Sequence, residues 1–216
     1  MSSSPGRRGR LFVVSAPSGA GKTTVVDAVV ASTAGLVRSR SYTSRTARPG
    51  EMDGDAYHFV SKARFESMIA GDQFLEWARF GEHYYGTAVV DTERELAAGR
   101  DVVFVIEVQG ARQLRRREPS AVAVFLMPPS RVELERRLRE RNLNSEADLA
   151  GRLRIASEEV AAFAEYDYVI VNDVLEDAVD ELRAIVMAGR ASIDARRAEA
   201  EAIAATFVGG GAYREG

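Results

Sequence analysis

The chain has 216 residues, 46% hydrophobic and 28% charged, with a formal net charge of −3, values that suit one α/β domain with insertions or one domain plus a tail. With no cysteine, disulfides and thiolate metal sites are excluded, and two histidines, His58 and His83, are a poor basis for a zinc site. The charge balance exerts no overall pull toward nucleic acid or a membrane surface, and no apolar run approaches the roughly 20 residues of a membrane-spanning helix.

Residues 1–8 read as a disordered leader of a cytoplasmic protein, since Leu11 to Ala16 is too short for a signal-peptide core. Leu11 to Val14 predict a buried strand, Pro17 to Gly21 a tight loop, and Lys22 to Val30 the start of a helix. That order is the context of a P-loop. Gly19 and Gly21 let successive backbone N–H groups face one point, where the helix N-terminus adds positive potential for an anion. Ala16, Pro17, Ser18, Gly19, Ala20, Gly21, Lys22, Thr23 and Thr24 are therefore the expected triphosphate-binding segment. Lys22 would reach the terminal phosphates, and the Thr23 hydroxyl would join the shell of a magnesium ion. The usual pattern asks for glycine at Ala16, a departure the site tolerates if the backbone there needs no positive φ.

Beyond a helix end near Ala34-Gly35, Leu36 to Ser41 predict a second short strand. Ser41 to Phe59, rich in hydroxyls, arginine and glycine, suits a ligand-binding loop better than a core element. Lys62 to Ala70 reads as a helix, and Phe74 to Phe80 and Tyr84 to Val90 as strands. Residues 42–90 thus form a small mixed insertion. The α/β rhythm then returns: helix over Asp91 to Ala98, strand over Asp101 to Val108, basic helix over Gln109 to Arg117, strand over Ala121 to Met127. Buried strands alternating with helices imply a parallel sheet covered on both faces, with ligands at the carboxyl ends of its strands.

Ser130 stands as an N-cap with Glu133 at capping-box spacing. The helix over Ser130 to Arg141 and a second over Glu146 to Tyr166, both studded with arginine, suit a mobile flap over a triphosphate. Tyr168 to Asn172 predict a last strand and Leu175 to Ala188 an amphipathic helix. Residues 190–206 read as an appended helix and 208–216 as disordered.

The second constellation is Thr43-Ser-Arg45-x-x-Arg48-x-x-Glu51-x-x-Gly54-x-x-Tyr57-x-Phe59-Val60. Arg45 and Arg48, three apart in a loop, can aim both guanidinium forks at one phosphate, and Tyr57 and Tyr85 add neutral O–H donors. Such a cluster would hold a monophosphate opposite the P-loop. Taken alone, Glu76 beside Trp77 also fits the surface of an amphipathic strand, and Tyr84-Tyr85 fits ordinary sheet aromatics. Glu107 closes an apolar run, where a carboxylate is rarely left without a partner.

These stretches, with Phe74 to Ala78, Tyr84 to Thr87, Val124 to Ser130 and Val169 to Asp173, resemble the guanylate kinases, P-loop nucleoside monophosphate kinases acting on GMP with ATP. The similarity runs from about Gly9 to Gly189. It implies a parallel-sheet P-loop NTPase core with helices on both faces (residues 9–41 and 91–189), a small mixed α/β GMP-binding insertion (42–90) and a helical lid (about 137–152). By the same resemblance Arg45, Arg48, Tyr57 and Tyr85 would hold the GMP phosphate, and Ser41, Glu76, Thr87 and Glu107 would face guanine. Asn172 would join the ATP site, while Arg137, Arg141 and Arg152, with Lys22 and Mg²⁺, would neutralise charge on the transferring phosphoryl group.

Two features depart from the family pattern. Val105 stands where a second acid is common, two residues before Glu107, and the turn Arg141-Asn-Leu-Asn-Ser145 differs from the usual lid turn. A guanylate-kinase-like scaffold domain that binds phosphopeptides without catalysis is the competing reading, and the intact Gly19, Gly21, Lys22 and Thr23 weigh against it. ATP and GMP, with dGMP as a further acceptor, are the expected partners. No nucleic-acid or membrane partner is expected, and monomer and homodimer both remain open.

Overall fold

In the computed structural model, which describes residues 7–140 and 145–208, the chain opens with β1 (Leu11–Ser15), α1 (Lys22–Ser32), β2 (Leu36–Arg38), β3 (Ser41–Thr43) and β4 (Tyr57–Phe59). It continues through α2 (Lys62–Ala70), β5 (Phe74–Phe80), β6 (His83–Ala88), α3 (Val89–Ala97), β7 (Asp101–Val105), α4 (Val108–Arg117) and β8 (Val122–Met127). Then come α5 (Arg131–Glu140), α6 (Glu146–Val160), a 3₁₀ turn over Ala161–Glu165, β9 (Tyr168–Val171), α7 (Leu175–Ala191) and α8 (Ile193–Val208).

β1 is buried at every position because it lies in the middle of a five-stranded parallel sheet of order β2-β7-β1-β8-β9. Its alternate residues serve two cores. Phe12 and Val14 pack with Val25, Val26 and Val29 of α1 and Ala178, Leu182 and Val186 of α7. Leu11 and Val13 pack on the other face with Leu96 of α3 and Ala111 and Leu114 of α4. Each such side chain contributes about 1.5–3 kcal/mol by leaving water, so a strand serving two cores needs an unbroken apolar run. The second sheet, order β4-β3-β6-β5, is antiparallel except for the β3–β4 pair and packs on α2 through Phe65 and Met68.

Several expected boundaries move. Leu36 to Ser41 is two strands in different sheets: Ser39 N–H still bonds to Val103 O at 2.9 Å, and from Ser41 the chain pairs with β4 and β6 instead. The strand expected over Asp101 to Val108 stops at Val105, since Val108, Ala111 and Leu114 repeat at helical spacing and are buried together along α4. The strand expected to reach Val90 ends at Ala88, and α6 gives way at Val160 to the 3₁₀ turn. Of the expected leader, residues 1–6 lie outside the described residues. Arg7 and Arg8 do not behave as a leader: Arg7 donates to the fully buried Asp101 at 3.0 Å, and Arg8 to Glu93 at 2.8 Å. Asp101 also accepts from Arg190 Nε at 2.6 Å and Arg10 N at 2.7 Å, tying both ends of the domain to β7. The appended helix begins at Ile193, after a break at Ser192, and 209–216 lie outside the described residues. Among the described residues no helix is long and apolar enough to cross a membrane.

Candidate active site

Ser15 ends β1 in the sheet interior, and the chain must turn at once to start α1. It does so through Gly19 and Gly21, at φ 92° and 88°, with Ala20 N–H bonded to Pro17 O at 3.1 Å. Those φ values lie where a side chain is strained, which accounts for both glycines. Ala16 is buried, and among the described residues only Asp72 has positive φ without being glycine, so alanine in place of the usual glycine carries no backbone strain. Gly21 is the N-cap of α1 and supplies no side-chain cap, so the first-turn amides are left for an anion. Thr23 and Thr24 are exposed in that turn.

Asn172, just past β9, donates from Nδ2 to Ala20 O at 2.7 Å, where a Cβ on Gly21 would collide with it. Its own carbonyl accepts from Arg137 Nη1 at 3.1 Å. Asn172 thus braces the loop's main chain and links it to α5. Arg137 is further held by Glu133 at 2.7 Å, and Arg152 of α6 reaches Ser18 Oγ at 3.5 Å. Two of the three expected lid arginines therefore adjoin the nucleotide loop or its brace; Arg141 lies outside the described residues.

Lys22 Nζ donates to Ile106 O at 3.2 Å. Burial pushes its ammonium below the usual lysine range, while attraction from Glu107 and Glu159 opposes the shift. Lys22 lines a cavity of about 370 Å³ together with Ser41, Tyr57, Glu76, Tyr85 and Glu107. The P-loop lysine thus shares one space with three of the four residues expected around guanine, Ser41, Glu76 and Glu107, and with Tyr57 and Tyr85; Thr87, Arg45 and Arg48 do not line it.

Glu76 is 5% exposed, which removes the surface reading. Its Oε1 accepts from Thr87 Oγ1 at 2.7 Å, and Thr87 lies 3.4 Å from Ser41 Oγ. Burial raises the Glu76 carboxyl to about 7 against bonds from Thr87 that lower it. Tyr85 lines the cavity, whereas Tyr84 stacks on Phe65 at 5.3 Å and belongs to the insertion's core.

Arg45 is buried and held by both oxygens of Glu51, at 2.6 and 2.7 Å, with its guanidinium 5.2 Å from the Tyr57 ring centre. Glu51 also accepts from Arg48 N at 2.7 Å, and these bonds hold its carboxyl near 2. The expected pair of equivalent forks is therefore unequal: Arg45 is fixed, whereas Arg48 is exposed and joins the cluster through its backbone amide. Glu51 is a residue whose role the sequence reading missed, although its place three after Arg48 in the quoted pattern was the signal.

Glu107 departs from expectation. It is exposed and stands at the N-cap of α4, because the buried strand has already ended. It faces the shared cavity. Val105 lines the same cavity, so no carboxylate occupies the place where an acid was expected. Glu159 of α6 was not singled out, and nothing in sequence separates it from Glu158. One of its carboxylate oxygens is buried without a hydrogen-bond partner among the described residues, and burial and Glu107 raise its pKa against Lys22 and the Ser18 amide.

Among the described residues no group of three or more His, Cys, Asp and Glu could cage a metal. The oxygen donors available at the loop, Thr23 and Glu107, fit a hard ion held chiefly by phosphates and water, as magnesium usually is.

The family model described as guanylate kinase matches residues 8–189. A guanylate kinase of Methylococcus capsulatus is 52% identical over 186 residues, 86% of this chain and 91% of that protein. One from Dechloromonas aromatica is 47% identical over 90% of this chain and 96% of its own length. The crystal structure of guanylate kinase from Anaplasma phagocytophilum superposes with a TM-score of 0.67 at 30% identity, covering 85% of this chain and 87% of that one. With a P-loop and a buried carboxylate site opening on one cavity, and with relatives matching along nearly its whole length, this chain belongs to the guanylate kinase family.

Proposed function

We propose that the protein transfers the γ-phosphoryl group of ATP to GMP, giving ADP and GDP. The observation that carries this reading is the shared cavity, which sets Lys22 and Glu76 around one space. The first-turn amides of α1 hold the ATP phosphates, with Lys22 on the transferring group and Arg137 and Arg152 closing from the lid side. A phosphate oxygen of GMP attacks the γ-phosphorus in line as its bond to the ADP oxygen breaks, so catalysis is mostly positioning and charge neutralisation. Thr23, with nucleotide phosphates, water and Glu107 nearby, would hold magnesium, which when bound would supply further charge neutralisation.

On the acceptor side Arg45, Arg48, Tyr57 and Tyr85 take the GMP phosphate. Glu76 and Glu107 accept from guanine N1–H and N2–H₂, and Ser41 and Thr87 complete the polar edge. Adenine lacks the 2-amine and presents an acceptor at N1, so it leaves the second oxygen of the buried Glu76 without a donor, at a cost of about 1–3 kcal/mol. Deoxyribose is accepted as well, since discrimination is assigned to base and phosphate. The test is ADP release with GMP, dGMP, AMP, CMP and UMP. GMP and dGMP are expected to turn over well above the others; preference for AMP would overturn the base assignment, and no turnover with any of them would overturn catalysis.

A further inference from the structure

Glu76 belongs to the insertion and is held there by Thr87, yet the other side of its carboxylate is bounded by the core. Just before it, the pairing of β5 with β6 shifts register between Phe74 and Glu76, an irregularity of the kind that re-aims a side chain. β5 is the edge strand of its sheet, with only β6 beside it. Its open side meets α4. There Gln113 acts as a one-residue strand: Oε1 accepts from Trp77 N–H at 3.1 Å, and Nε2 donates to Trp77 C=O at 2.8 Å. Both main-chain groups of the residue after Glu76 are thereby saturated by one side chain.

One helical turn earlier on the same face lies Gly110. A Cβ built there would stand 2.9 Å from Glu76 Oε2, closer than a carbon and an oxygen tolerate, and 3.4 Å from Ile106. Glu76 Oε1 is already held by Thr87, so Oε2 has its place only because α4 has no side chain at that point. Gly110 also lines the shared cavity. The tight conflict is with the far end of the Glu76 side chain, and the Ile106 contacts at 3.4 Å are close to ordinary, so a methyl group at Gly110 would chiefly displace the carboxylate.

We infer that Gly110 and Gln113 are positioning residues for base recognition, holding the Glu76 carboxylate between Thr87 of the insertion and α4 of the core, so that the guanine-reading pocket is completed across the junction of the two sheets. This rests on the reading of Glu76 as a guanine contact. Glu107, the N-cap of α4, directly follows Ile106, whose carbonyl accepts from Lys22. The same helix therefore sets the acceptor base and borders the phosphoryl-transfer site.

The test compares kcat/KM for GMP with that for IMP, which lacks the 2-amine, in Gly110→Ala, Gln113→Ala and Glu76→Gln proteins. Glu76→Gln should erase most of the preference for GMP. Gly110→Ala and Gln113→Ala should each cut it by about fivefold or more, with the KM for ATP changed less than about twofold. A ratio unchanged in the two α4 variants but lost in Glu76→Gln would overturn the inference alone. A ratio unchanged in all three would overturn the reading of Glu76 and the inference with it. Should Gln113→Ala fail to fold, Gly110→Ala decides, because its added methyl presses hardest on the terminus of the Glu76 side chain and meets Ile106 only near ordinary contact distance. Equal loss of efficiency with GMP and IMP, without change in their ratio, would mark a structural role and likewise overturn the proposal.

Discussion

At the P-loop the groups proposed to meet a ligand are main-chain amides at the start of α1, held in place by two left-handed glycines and by Asn172 bonded to Ala20 O. In the four-stranded sheet the proposed groups are side chains: Glu76 set by Thr87, and Arg45 set by Glu51. On the proposed reading, the first region would recognise a phosphate through backbone geometry, which any sequence with the right φ values can supply. The second would recognise a particular base through side chains whose own partners must be present. Backbone-built sites tolerate substitution by small residues, as Ala16 illustrates, whereas side-chain-built sites fail when one supporting bond is removed.

The largest effect should come where the two regions meet. Lys22→Ala is expected to lower kcat by about 10²–10³-fold, the scale of losing one preorganised donor to a developing charge, with a small change in the KM for GMP. Steady-state kinetics with both substrates varied would check this; a loss confined to KM would place Lys22 outside the transferring group. On the side-chain half, Arg45→Ala should raise the KM for GMP by about 10–100-fold, the equivalent of about 1.5–3 kcal/mol for a charged hydrogen bond. An unchanged KM would remove Arg45 from the phosphate clamp.

A smaller effect follows from pH. The Glu76 carboxyl stands near 7 in the folded protein against an ordinary 4.5. Because its folded value is raised, the stability linked to its protonation is complete below 4.5 and is lost as pH rises through about 7. Guanine donors favour the ionised carboxylate, so GMP binding expels the proton, and the KM for GMP should fall by about tenfold between pH 6 and pH 8. Glu76→Gln should flatten that profile without altering the profile for ATP, and a profile unchanged by the substitution would assign the proton to another group. The smallest effect belongs to the backbone half: Ala16→Gly should change kcat and both KM values by less than about threefold, with stability lowered by about 0.5–1 kcal/mol from added chain freedom. A large gain in activity would show that the alanine constrains the loop after all.

The P-loop was legible because its chemistry is local: apolar run, glycines, lysine and helix follow one another along the chain, and the fold has only to keep that order. The pattern from Thr43 to Val60 was legible for the same reason, although the division of labour within it was not. Arg45 and Arg48 are alike in sequence, and only the placement of Glu51 makes one fixed and the other exposed. Glu107 was misjudged as the end of a buried strand because an apolar run does not by itself show where strand gives way to helix.

What the sequence by itself determined was the covalent order of turn, helix and charge: a glycine loop between strand and helix, a cluster of arginines and hydroxyls, and the alternation that makes a parallel sheet. Only the tertiary structure decided that Glu76 is buried and bounded by Gly110, that Trp77 is pinned by Gln113, and that Lys22 shares a cavity with Glu76 and Gly110. The physical reason is range. Backbone dihedrals and helix starts are set by neighbouring residues, whereas the burial that shifts a carboxylate and the contact that aims it depend on elements distant in sequence that meet only when the two sheets pack around α4.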